Sequence, residues 1–132
     1  MAITHVTAIR NEKADIVLGH IDDGTGVGKV QVTSVVDDYA PGNILVEIPL
    51  SVAPAFPAAA AGAATANNAP FEGIAGNTGT ALQFRVTDSD DNEVFRGTVT
   101  ETGMGGDFQL TSTLITTLDP VRINSFTYTD SV

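Results

Sequence analysis

The sequence contains no cysteine and no tryptophan, and only 6 of its 132 residues are lysine or arginine. Without cysteine, the chain has no disulfides and no zinc site built from thiolates. The 16 aspartate and glutamate residues give a formal net charge of −10. Because a phosphate backbone would be repelled by this charge, we expect no nucleic acid partner.

Long apolar runs are also missing from the sequence. No stretch approaches the roughly 18 consecutive apolar residues of a membrane span, so we expect no membrane partner. Residues 1–5 lack the basic start and the apolar run of a secretory signal. These features favour a protein that is made in a cytoplasm.

The apolar content is nevertheless sufficient for a folded domain. Of all residues, 42% are hydrophobic and 17% are charged, a composition that favours order over disorder. A chain of this length is the size of one domain and buries roughly two-thirds of its unfolded surface. We therefore predict a single domain over residues 1–132, with no second domain.

The amino-terminal region has the apolar spacing of a helix. Large apolar residues recur at steps of three and four, which is the spacing of one helical face: Ile3, Val6, Ile9, Ile16, Val17 and Ile21. Gly19 and the acidic residues at 22–23 provide a stop signal. The pattern predicts a helix over about residues 3–21 that packs this apolar face.

Potential cations lie on or beside the same predicted face. Lys13 falls inside the apolar stripe, where another aliphatic residue is expected, and Arg10 and His20 flank it. In one interpretation, their alkyl stems cover apolar surface while their charges reach water. In the other interpretation, the helix meets an acidic surface of a partner, with Arg10 and Lys13 as contacts.

From residue 29 onward the pattern alternates between apolar and polar residues, as in half-buried strands. The clearest hairpin covers residues 81–100, with a turn at 88–92. The phase of the last strand changes near Asn124 and Ser125, which predicts a bulge. We predict a mainly β fold, an antiparallel β-sandwich of jelly-roll type over about residues 29–129, with one N-terminal α-helix.

Residues 54–79 have a different composition, dominated by alanine, glycine, asparagine, threonine and proline. This composition predicts a long loop, which in a compact domain is usually either mobile or functional. We favour an arm that lies across a neighbouring subunit, with Phe56 and Phe71 as aromatic anchors; surface mobility is the alternative. Deletion of residues 58–68 is then expected to leave the domain folded.

No pattern of catalytic residues stands out. His5 and His20 would be about 22 Å apart if both lay on the helix, at about 1.5 Å of rise per residue, and no serine has a nucleophile-elbow pattern. We therefore expect a protein that is not an enzyme and that needs no cofactor.

Two local motifs resemble binding loops only in part. Glycines at 24, 26 and 28 have the wrong spacing for a dinucleotide fingerprint, so a helix stop and connector is favoured. Residues 88–93 begin like a calcium loop, but Glu93 stands where that loop needs glycine and Val99 where it needs glutamate. A hairpin turn is favoured there, and weak calcium binding stays open.

Several stretches resemble the head decoration, or cement, proteins of tailed bacteriophages. They are residues 3–11 (ITHVTAIRN), 84–90 (FRVTDSD) with 93–100 (EVFRGTVT), and 123–129 (INSFTYT). The resemblance implies a structural protein on the outside of the virion capsid that binds the major capsid protein and carries no catalytic residues. We also expect self-association as a dimer or trimer.

A receptor- or carbohydrate-binding module of a phage fibre or bacterial surface is the alternative function. It predicts affinity for sugars, whereas a decoration protein is expected to bind assembled shells and no sugars. The low aromatic content, 6%, counts against the usual aromatic platforms of sugar-binding modules.

Overall fold

One helix begins the fold. The computed structural model describes residues 5–50, 54–67, 69–104, 108–110, 112–123 and 126–129. Helix α1 covers Thr7–Gly19 and is followed by a single 3-10 turn at His20–Asp22. The predicted helix over about 3–21 is confirmed for its described part. No helix in the described ranges is long and apolar enough to cross a bilayer.

The buried side of α1 differs from the predicted one. Val6, Ile9 and Ile16 are exposed by 69%, 40% and 65%, so the prediction that they pack was wrong. Ile21, which belongs to the predicted face, is buried as expected, and the other buried residues are Ala14 and Leu18. Because the predicted face was defined by large aliphatic residues, it omitted Ala14, which is fully buried. Ile3 lies outside the described residues.

The helix is followed by short strands with connections of varied length. In chain order they are β1 (Lys29–Thr33), β2 (Ile44–Pro49), β3 (Ala63–Thr65), β4 (Phe71–Ile74), β5 (Gly79–Thr80), β6 (Gln83–Thr87), β7 (Glu93–Glu101), β8 (Phe108–Leu110), β9 (Leu114–Ile115), β10 (Pro120–Ile123) and β11 (Thr127–Thr129). These bounds confirm the mainly β fold with one N-terminal helix.

Five strands form the main sheet, in the order β2-β1-β6-β7-β8. The first three of these pairings are antiparallel, whereas β7 and β8 run parallel. Three two-stranded ribbons complete the described part of the fold: β4 with β10, β3 with β11, and β5 with β9. The sheet is open and curled, and the jelly-roll-like sandwich stays a prediction.

The predicted hairpin is confirmed by the β6–β7 pairing. In its turn, the Asp88 carboxylate accepts hydrogen bonds from the backbone N–H groups of Asp90 and Asn92, at 2.8 and 3.0 Å, and from the Asn92 side chain at 3.0 Å. These bonds, led by the one from the Asn92 side chain, lower the pKa of Asp88. The carboxylate of Asp88 therefore serves the turn itself.

The prediction of one long loop over residues 54–79 was wrong, because β3, β4 and the start of β5 lie within this segment. Phe56 and Phe71 are exposed by only 6% and 2%, and the Phe56 ring packs edge-on against Phe126 at 5.6 Å. Both aromatic residues therefore belong to the core of this chain. The prediction that they anchor an arm on a partner is corrected accordingly.

The expectation that residues 58–68 are dispensable is also corrected. Ala64 and Ala66 are buried, and the Ala66 N–H donates to the Phe126 carbonyl at 2.8 Å. The small side chains of this segment permit close packing against the rest of the domain. The small size of its side chains was therefore a poor guide to its burial.

The carboxyl-terminal region forms two strands instead of one. Val121 and Ile123 are buried on β10, and Phe126 is buried immediately before β11. The change of phase in the sequence thus corresponds to a change of partner strand, from β4 to β3. The predicted bulge at Asn124 and Ser125 lies outside the described residues.

Candidate functional site

A row of polar side chains crosses the outer face of the main sheet. Val30 and Val32 of β1 point into the core, so their neighbours Lys29 and Gln31 point to the other face. The strand register places Gln31 opposite Glu47 of β2 and opposite Arg85 of β6. Arg85 in turn lies opposite Arg96 of β7. We call Glu47, Gln31, Arg85 and Arg96 the polar row.

Gln31 links the members of the polar row. Its side-chain oxygen accepts a hydrogen bond from Arg85 Nε at 2.7 Å, and its amide nitrogen donates to Glu47 Oε2 at 2.8 Å. Gln31 is only 3% exposed. Because both ends of a buried amide are engaged, Gln31 holds the Arg85 and Glu47 side chains in fixed positions.

Lys29 neutralises the acidic end of the polar row. Its ammonium nitrogen lies 2.5 Å from Asp91 Oδ1 and 3.5 Å from Glu47 Oε1. Burial lowers the pKa of Lys29, but the hydrogen bond to Asp91 and the charge of Glu47 outweigh that effect and raise the pKa overall. Lys29 is therefore a charged partner of both carboxylates.

Arg85 and Arg96 are like charges directly across a strand pair, which is a destabilising arrangement unless other charges compensate. Glu93 accepts two hydrogen bonds from Arg96, at 3.0 and 2.7 Å, and Asp37 accepts one at 2.5 Å. These bonds raise the pKa of Arg96, and the bond from Arg96 lowers the pKa of Asp37. The two carboxylates thus stabilise the arginine pair.

Tyr39, in the connection between β1 and β2, covers the two arginines. The guanidinium carbons of Arg85 and Arg96 lie 4.5 and 5.5 Å from its ring centroid, within cation–π range. Its hydroxyl donates to the side-chain oxygen of Gln83 at 3.0 Å. Burial raises the pKa of Tyr39 to about 12, against the opposing effect of the Arg96 charge.

The raised pKa of Tyr39 gives a testable expectation. The sequence has two tyrosines, so in a Tyr128→Phe variant the absorbance change on ionisation reports Tyr39 alone. We expect a midpoint of about 12 in the native protein and about 10 in denaturant. Because the unfolded chain loses this proton first, stability should fall as the pH rises from about 10 towards 12. Equal midpoints in the two states would contradict the burial of Tyr39.

A cleft of about 450 Å³ opens beside the polar row. Gln31, Arg85, Glu47 and Asp91 line its polar side, and Pro41, Ile44 and Ile74 are among its apolar lining residues. The cleft thus offers hydrogen-bond donors, acceptors and an apolar wall to one ligand. A larger cavity of about 660 Å³ lies among β8, β9 and β10.

The four contact residues predicted from the sequence do not form one exposed surface. Phe56 and Phe71 lie in the core, and Arg10 and Lys13 are half-buried on α1. The Arg10 guanidinium lies against Gly62, where an added Cβ would be 2.7 Å from the guanidinium carbon. Arg10 thus contacts this chain's own β3 region.

Sequence reasoning missed the polar row as a site. The alternation of β1, β2 and β6 places its residues on outward positions, but their proximity depends on the pairing of strands distant in sequence.

Among the described residues, no group of three or more acidic or histidine side chains is arranged to hold a metal ion.

The exposed face of α1 is a second candidate surface. Val6, Ile9, Lys13 and Ile16 follow one another at steps of three and four, and the same spacing reaches His20 in the following turn. They share one side of the helix. We call these five residues the helix face. None of them is acidic.

Comparisons with known proteins identify no relative of this chain. No protein-family model matches the sequence, and no curated protein or solved structure matches it significantly.

Proposed function

We propose that this chain is a non-enzymatic structural protein of a tailed bacteriophage head, which binds the outside of the major capsid protein lattice and stabilises the shell. The resemblance of its sequence to head decoration proteins supports this function. The structural observation that best supports the proposal is the exposed helix face. Val6, Ile9 and Ile16 are exposed by 69%, 40% and 65%. Exposed apolar side chains on one side of a helix fit a surface that packs against another protein.

The spacing of the helix face suits a groove on a partner. An amphipathic helix that docks in a groove presents anchors three, four or seven residues apart. Val6 and Ile9 are three residues apart, and Ile9 and Ile16 are seven apart. The polar members of the helix face are Lys13 and His20, and the His20 ring lies 2.7 Å from the Asp23 carboxylate. We therefore propose a partner groove that is apolar where it meets Val6, Ile9 and Ile16.

One helix face alone would bind weakly. Burial of an aliphatic side chain contributes about 1.5–3 kcal/mol, whereas association costs an estimated 4–15 kcal/mol in lost freedom of motion. Because Val6, Ile9 and Ile16 are already partly covered, their burial would offset only the low end of that cost. Linked copies, as a dimer or trimer on the lattice, would raise the avidity without stronger individual contacts.

The test substitutes aspartate in the helix face. In the double variant Ile9→Asp/Ile16→Asp, we expect binding to undecorated capsids of the same phage to weaken at least about tenfold, because two apolar anchors become charges. Co-sedimentation with the capsids measures the bound fraction. Since both residues are exposed, circular dichroism should show an unchanged fold.

Val36→Asp is the matched control, because Val36 is also an exposed aliphatic residue, at 57%, but lies outside the helix. This variant should bind like the unmodified protein. If the double variant decorated capsids normally, the helix face would not be the binding surface. If the unmodified protein neither bound capsids nor increased their resistance to heat, the proposed function itself would be refuted.

A further inference from the structure

We propose that the cleft beside the polar row binds a neutral polyhydroxylated ligand, a saccharide. This inference does not rest on capsid binding, since the cleft and the helix face are formed by different residues. It replaces the expectation from the sequence that a decoration protein binds no sugars. The cleft has a volume of about 450 Å³, which lies within the range of roughly 300–1,000 Å³ that is common for small-molecule sites.

The lining of the cleft has an apolar and a polar side. Ile74 is 56% exposed, and together with Ile44 it offers an aliphatic surface to a ligand. Gln31 and Arg85 supply the polar side. A sugar ring has this same division, because its C–H groups form an apolar face and its hydroxyls project from the rim. The two sides of the cleft thus match the two kinds of surface on one sugar.

The charges at the cleft favour a neutral ligand over an ion. Glu47 and Asp91 are both within ion-pair distance of Lys29, and the Arg85 guanidinium supplies a second positive charge at the cleft. Two carboxylates and two cations therefore cancel locally, although the whole chain has a net charge of −10. A hydroxyl both donates and accepts hydrogen bonds, so it suits a carboxylate and a guanidinium alike.

Hydrogen-bonding capacity remains available at the cleft. Within the described part of the chain, the only hydrogen bond donated by the Arg85 guanidinium is the one from Nε to Gln31, and its Nη1 lies 3.9 Å from Glu93. Asp91 uses Oδ1 for its contacts with Lys29 and Gln31, which leaves Oδ2 for a ligand. Charged groups make the stronger hydrogen bonds.

The site is also ordered before a ligand arrives. Gln31 is 3% exposed and holds Arg85 and Glu47 through hydrogen bonds of 2.7 and 2.8 Å. Since binding costs free energy when side chains must be ordered, prior ordering favours affinity. The polar row therefore provides a fixed pattern of groups for ligand hydroxyls.

The experiment is an amide NMR titration of the full chain with methyl glycosides of glucose, galactose, mannose and N-acetylglucosamine. Glucosamine and glucuronate serve as the cationic and anionic comparisons. We expect saturable shifts for at least one neutral glycoside at the amides of Gln31, Gly76 and Arg85, and weaker binding of both charged sugars.

Asp91→Asn tests the location of the site. Asp91 has a φ of 67°, a conformation that asparagine tolerates, so this variant should keep the turn while it loses the charge. We expect about tenfold weaker binding, which corresponds to about 1.4 kcal/mol. Asp90→Asn makes the same change in the same turn, outside the cleft lining, and should bind like the unmodified protein.

Each remaining outcome would overturn the proposal. Absence of saturable shifts with every neutral glycoside would exclude a site for these sugars. Unchanged affinity in Asp91→Asn, or an equal loss in Asp90→Asn, would place binding elsewhere. Preferred binding of glucosamine or glucuronate would refute the choice of a neutral ligand. Capsid binding is measured separately, so failure of this inference leaves the proposed function intact.

Discussion

Replacement of Phe71 with alanine should lower the free energy of unfolding by about 3–5 kcal/mol, the usual cost of truncating a buried aromatic residue. Phe71 is 2% exposed and lies on the inward side of β4, so the truncation would leave a cavity in the core. Urea unfolding followed by circular dichroism measures the change. Because small domains are stable by about 5–15 kcal/mol in total, we expect a substantially destabilised protein.

Ile74→Ala is the matched control for this prediction. Ile74 lies on the same strand but is 56% exposed, so we expect a change within about 1 kcal/mol. A loss in Phe71→Ala no larger than that in Ile74→Ala would contradict the placement of Phe71 in the core. The hypothesis that Phe71 anchors an arm on a neighbouring subunit would then regain support.

Gly73→Ala should destabilise the fold by about 3 kcal/mol, at the upper end of the usual cost of overpacking. A Cβ at Gly73 would lie 2.4 Å from the backbone carbonyl oxygen of Glu47 and 3.0 Å from Ile48 Cγ1. That carbonyl belongs to β2, so it is unable to move away without disturbing the main sheet. We expect the melting temperature to fall by roughly 10 °C, as measured by thermal unfolding.

Gly76→Ala adds the same methyl group three residues later, where an added Cβ meets no atom within 4 Å. It should therefore leave the melting temperature nearly unchanged. If the two glycine variants melted at the same temperature, β4 would not approach β2 as closely as the structure shows.

The strands with regular alternation were predictable from the sequence. In β1 and β6, large aliphatic or aromatic side chains alternate with polar ones, so a half-buried strand is the simplest interpretation. The predicted start of the β region at residue 29 and its end at 129 coincide with the first and last described strands. Local pattern was sufficient for these elements because the large apolar residues of each strand share one face, which packs on the core.

Strand β4 shows why residues 54–79 were predicted incorrectly. Its buried positions are Phe71 and Gly73, while its exposed positions are Glu72 and Ile74. A glycine is buried and an isoleucine is exposed, so hydrophobicity alone fails to identify the inward face. Gly73 is inward because β2 lies too close for any side chain, and that proximity is a property of the tertiary fold.

The candidate sites depend on the same kind of tertiary information. The helix face was expected to be buried because Ile9 and Ile16 are large and apolar, yet the buried side of the helix is the opposite one, with Ala14 and Leu18. Gln31, Glu47 and Arg85 meet only because β1 pairs with both β2 and β6. Neither result follows from the spacing of residues within one segment.

The ribbons join parts of the chain that are synthesised at different times. Ala64 of β3 pairs with Tyr128 of β11, and Phe71 of β4 pairs with Ile123 of β10. Neither ribbon is able to form until residues 120–129 have been made. Because such distant pairings slow folding, the Phe71 side of β4 remains exposed for longer during synthesis. At that stage, electrostatic repulsion between chains of net charge −10 would limit aggregation.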